Sequence, residues 1–116
     1  MTYEEIEALQ PGRETDRLVA IHVLDMHADG PYICREDGHG ILAENLPHYS
    51  TDIAAAWEVV EKFIERKWSI EVSWPAPGGF ACQIRGLYAI GNGDTPMLAI
   101  CKAALLAVQP GKESHA

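Results

Sequence analysis

Three cysteines and five histidines are the residues of this 116-residue chain best suited to metal or nucleophile chemistry. Zinc asks for three or four ligands in a tetrahedron, and Cys34, His39 and His48 would converge if the segment between them folds back. Their spacing matches no finger or ribbon, and no Cys-x-x-Cys pair occurs. His22 and His27 are five apart and share a helix face poorly. No metal is therefore expected. A nucleophilic cysteine would need a histidine base such as His39 or His48. Cys82 and Cys101 fall on apolar faces, where a thiol behaves as a small hydrophobe. Cys34 has Arg35 beside it, a neighbour that favours the thiolate. Glu4 with Glu5, Glu58 with Glu61, and Glu61 with Glu65 read as solvated helix surface rather than acid–base pairs. Neither an enzyme nor a cofactor is expected.

Two segments suggest binding instead. Gly91-Asn92-Gly93-Asp94-Thr95-Pro96 enters a helix N-terminus, a place that favours anions. Asp94 is itself an anion, Pro96 removes an N–H, and neither a P-loop lysine nor a dinucleotide fingerprint is present, so the segment reads as a cap. Further back, Trp68, Ile70, Val72 and Trp74 alternate with Ser69, Glu71 and Ser73, and Phe80, Cys82 and Ile84 with Ala81, Gln83 and Arg85. This predicts an antiparallel hairpin with one apolar and one polar face. The polar face is either solvated or a covered surface that meets a ligand or a second subunit. Trp74, at the loop edge, either packs into the core or stacks on a partner.

These residues need elements to hold them. Thr2 with Glu5 is a capping box that opens a short helix ending near Leu9. A second helix is expected over 13–26, with an apolar stripe from Leu18 to Met26, stopped by Asp29-Gly30-Pro31. Residues 32–35 read as a strand, 36–40 as a turn, 41–43 as a return strand and 44–49 as loop. Ser50 or Thr51 caps a central helix, with Asp52 in its first turn; its face is Ile53, Ala56, Trp57, Val60 and Ile64, widened by Val59 and Phe63. Residues 75–79 are expected to be loop, with one more strand at 87–90. Thr95 as N-cap with Pro96 at N1 starts a last helix, which Gln109-Pro110-Gly111 ends. One domain is expected over 1–110, with a flexible tail at 111–116.

Composition sets outer limits. Hydrophobic residues are 47% and charged residues 22%, as in ordinary globular chains. The net charge of −8 disfavours DNA, RNA and anionic membrane surfaces. Residues 1–65 hold 14 acids and 4 Lys/Arg, and residues 66–116 hold 3 and 5. The acidic N-terminus without an apolar run and the odd number of cysteines predict a cytoplasmic protein with reduced thiols.

The runs Tyr49–Lys62, Asp94–Ala107 and Pro11–Ala20 resemble, in turn, the central, C-terminal and opening helices of phage ABA sandwich proteins. The blocks are spread over nearly the whole chain. The resemblance implies a phage or prophage origin and an α+β helix/sheet/helix sandwich with a small, mainly antiparallel sheet. It implies no activity and no catalytic residues. Residues 27–48 match it least and hold three of the five histidines, so a trait special to this member is expected there. Together with the phage resemblance and the small size, the aromatic and cationic residues suggest capture of a small host molecule, such as a nucleotide signal of antiviral defence. The candidate ligand-binding residues are Tyr32, Arg35, His48, Tyr49, Trp74, Gln83 and Arg85. The alternative is a protein-interaction module, a homodimer or higher homo-oligomer, that uses the sheet edge and Trp74.

Overall fold

The computed structural model describes residues 1–85 and 89–109. Its first helix, α1 (Tyr3–Glu7), opens on the expected capping box: Glu5 N–H donates to Thr2 Oγ1 at 3.2 Å, and Thr2 N–H donates to Glu5 Oε1 at 3.0 Å. α2 (Arg13–His22) follows, then β1 (His27–Asp29), β2 (Tyr32–Cys34), β3 (Gly40–Leu42) and a 3-10 turn over Ala43–Asn45. The second half comprises α3 (Ile53–Glu65), β4 (Ile70–Ala76), β5 (Gly79–Ile84), β6 (Ala89–Gly93) and α4 (Pro96–Ala107). The architecture is the expected α+β sandwich: the described residues form four helices and two antiparallel three-stranded sheets in the orders β1-β2-β3 and β4-β5-β6.

α4 is the organising element. Every residue from Leu98 to Ala107 is buried, Lys102 included. A helix apolar on all sides must be covered on all sides. α4 lies across β5 and β6 and barely reaches β4, while α1, α2 and α3 also pack on it. Its contact with the sheet is close because β6 offers glycines. A Cβ on Gly91 would fall on the backbone nitrogen of Ala103 and 2.5 Å from the Ala99 carbonyl oxygen. Thr95 caps α4 as expected, accepting from Leu98 N–H at 3.2 Å, with Pro96 at its first position.

The β4–β5 register follows the alternation in the sequence. Ile70 faces Ile84 and Val72 faces Cys82, and Cys82 in turn faces Gly91 under α4. On the other face, Glu71, Gln83 and Ile90 lie in one row, and Ser73, Ala81 and Asn92 in the next. Glu71, Ser73 and Ile90 are exposed.

Several expectations need correction. α2 stops at His22, four residues early. Leu24 N–H turns back to the Val19 carbonyl and Asp25 takes a left-handed φ of 58°, so the chain reverses there without a glycine. Beyond the freed residues 23–26, His27–Asp29 forms β1, a strand that the sequence reading does not include. The expected loop at 75–79 is shorter, since β4 runs to Ala76 and β5 begins at Gly79. Trp74 and Pro75 together stand opposite Phe80, which makes a bulge between the Ser73–Ala81 and Ala76–Gly79 pairs. The last strand lies at 89–93, later than expected; residues 87 and 88 of the expected strand and the tail 111–116 lie outside the described residues. α3 is rotated from the expected face. It buries Ala55, Ala56, Val59, Val60 and Phe63, and leaves Ile53, Trp57 and Ile64 about half exposed. Trp74 is 70% exposed and Val72 40%, because α4 barely reaches β4.

Candidate functional site

Three elements enclose a cleft of about 410 Å³, a volume within the usual range for small-molecule sites. The α2–β1 connection supplies Leu24, Asp25 and Met26. The turn after β2 supplies Arg35, Glu36 and Asp37. α3 contributes Glu58 and Lys62, one helical turn apart on one side. The turn belongs to segment 27–48, where a member-specific trait is expected.

Some of these charges are already engaged. The reversed backbone at Asp25 aims its carboxylate at α3, with Oδ2 3.6 Å from both Lys62 Nζ and Arg66 Nη2. Asp37 Oδ1 accepts from His39 N–H at 2.9 Å, and its Oδ2 lies 3.1 Å from His39 Nδ1. The His39 backbone donor, more than its ring, holds the Asp37 carboxyl below its ordinary range. Arg35 and Glu58 form no ion pair among the described residues.

Tyr49 is fully buried, and its hydroxyl has no hydrogen-bond partner among the described residues. Burial pushes this phenol up to about 12; Glu58 adds to the rise and Arg35 opposes it. The hydroxyl thus lies within electrostatic reach of two cleft-lining charges.

A second polar cluster ties the N-terminus of α2 to the loop before α3. Asp16 is fully buried. Its Oδ1 accepts from Ser50 N–H at 2.9 Å and from Ser50 Oγ at 2.7 Å, and Gly12 N–H donates to Ser50 Oγ at 2.9 Å. Asp16 Oδ2 faces Arg13 Nη1 and His48 Nδ1, each 3.9 Å away. The hydroxyl meets the carboxylate directly, and the imidazole does not stand between them. This cluster is a structural tie rather than a nucleophile and its base.

The predicted ligand residues therefore fall into separate places. Arg35 lines the cleft, and Tyr49 lies buried within reach of its charges. His48 sits at the Asp16 tie. Tyr32 is exposed on β2 opposite Leu42. Gln83 and Arg85 belong to the open sheet face, where Arg85 Nη2 pairs with Glu71 Oε2 at 3.0 Å. Trp74 stands on β4. Asp25, Glu58, Lys62 and the buried Asp16 carry no local signal in the sequence, since each reads as surface charge until a distant element meets it.

Cys34, His39 and His48 do not gather, and no group of three potential metal ligands occurs among the described residues. All three cysteines are buried free thiols. Burial pushes Cys82 and Cys101 up to about 12, which removes them as nucleophiles at neutral pH. No helix among the described residues is long and apolar enough to cross a membrane.

A family model described as the phage ABA sandwich domain matches residues 17–105. The chain is also similar to the crystal structure of a phage protein from Bacillus cereus ATCC 14579, with 25% identity and a TM-score of 0.70, over 87% of this chain and 94% of that one. No curated protein matches the chain.

Proposed function

The chain belongs to the phage ABA sandwich domain family, and on that premise we propose that it is a non-catalytic phage protein that pairs with a second copy of itself through the β4 edge. The exposure of Trp74 carries this reading: it is 70% exposed, on a strand that is paired on one side only among the described residues. Tryptophan is costly to leave in water and is enriched where interfaces concentrate their binding energy. Val72, 40% exposed, extends the same surface beyond the reach of α4. The bulge and Pro75 spoil ladder pairing at the far end of β4, as edge strands commonly arrange. The contact is therefore made by side chains around Trp74, with backbone pairing limited to Ile70–Ser73.

Light scattering tests this. A mass twice the 12.7 kDa of the chain is expected at micromolar concentration, with Trp74→Ala reverting to single chains while retaining the wild-type circular dichroism spectrum. A wild-type protein that stays single up to about 100 µM would end the proposal.

Capture of a nucleotide signal has narrower support. The candidate cleft holds Arg35, with Lys62 already bridged to Asp25, and it also holds Asp25, Glu36, Asp37 and Glu58. Four carboxylates oppose a polyanion. A melting-temperature rise with cyclic or linear nucleotides at about millimolar concentration would reverse the order of the two readings.

A further inference from the structure

We propose that the cleft between the β2 turn and α3 binds a free amino acid with an apolar side chain, its carboxylate at Arg35 and its ammonium at Glu58. The proposal is independent of self-pairing, since the cleft and β4 share no residue.

Not every charge in the cleft is free to meet a ligand. Lys62 is bridged to Asp25, and Asp37 is engaged by His39. Arg35 on the turn and Glu58 on α3 line the same cleft with opposite signs, and neither has an ion-pair partner among the described residues; Glu36, next to Arg35 on the turn, is unpaired as well, but Glu58 is the open acid on the facing element. They do not meet each other, so a molecule carrying both signs satisfies both without bringing in net charge. A polyanion would be repelled by the carboxylates, and a simple cation would leave the guanidinium without a counter-charge.

Leu24 and Met26 supply an apolar wall beside these groups. The ligand's side chain belongs against that wall. A cleft of about 410 Å³ has room for a leucine-sized molecule.

The experiment is a titration of the full chain, followed by calorimetry and by amide chemical shifts, using leucine, N-acetyl-leucine and leucinamide. Leucine is expected to bind, with shifts confined to the α2–β1 connection, the β2 turn and the middle of α3. N-acetyl-leucine lacks the cation and leucinamide lacks the anion, and each is expected to bind at least about tenfold more weakly. Arg35→Ala should weaken leucine at least about tenfold while leaving leucinamide unchanged, and Glu58→Gln should weaken leucine while leaving N-acetyl-leucine unchanged. Absence of binding by leucine, valine and methionine at about 10 mM would overturn the proposal, as would equal binding of leucine and its two singly charged analogues.

Discussion

At the scale of single residues, the buried Asp16 tie is the feature least visible beforehand. In the sequence Asp16 is one acid in the first turn of a helix, an ordinary place for one. Its importance comes from Ser50, 34 positions away, whose N–H and hydroxyl both donate to it. Asp16→Ala leaves the buried Ser50 N–H without an acceptor and the Ser50 hydroxyl with only the Gly12 carbonyl at 3.3 Å, and should destabilise the fold by about 1–3 kcal/mol, read by urea denaturation. Cys82 and Cys101 could be placed more easily, because alternation and helical spacing put them inside. Burial pushes both thiols up to about 12 from an ordinary 9.0. Below about pH 9 both folded and unfolded chains keep these protons, so the burial has no pH-dependent cost there. Above it the unfolded chain releases protons that the folded chain still holds. Stability should therefore fall as pH rises from about 9 toward 12, by up to about 1.4 kcal/mol per pH unit for each thiol. Thermal melting across that range should show the decline, and Cys101→Ala should make it shallower.

At the scale of elements, legibility followed the strength of local rules. The capping box of α1, the Thr95-Pro96 start of α4 and the β4–β5 register were all readable, because caps and strict alternation depend on neighbours in sequence. The orientation of α3 was not. Two overlapping apolar sets run along this helix, and the choice between them depends on what packs against it, which spacing cannot report. The early end of α2 was hidden for a similar reason. Asp25 holds a backbone conformation usually given to glycine, and its partners Lys62 and Arg66 come from α3. The cleft inherits this illegibility, since two of its three walls are the Asp25 reversal and the outer side of α3. The β6–α4 contact makes the firmest prediction at this scale. Gly91→Ala would put a methyl into the backbone of α4, between Ala99 and Ala103. Neither element can yield without moving the core, so the variant should lose about 3 kcal/mol or more, or fail to accumulate as folded protein.

At the scale of the whole molecule, the sheet-and-helix layering was foreseen from the family resemblance, whereas the division of surfaces was not. The β4 end of the sheet carries Trp74 into solvent, while the charged cleft is built from the β2 turn, the Asp25 reversal and α3. The proposed self-pairing uses the first surface and the proposed amino-acid site the second. The helix buried on every side has a further consequence. α1, α2 and α3 emerge first during synthesis, yet they share a common support only when residues 96–107 arrive. The early part of the chain therefore has little to condense around, and folding is expected to be one late, concerted event rather than a stepwise build-up. A fragment ending before Pro96 should give the spectrum of an unstructured chain and melt without a cooperative transition, and adding the missing segment as a separate peptide should restore the transition.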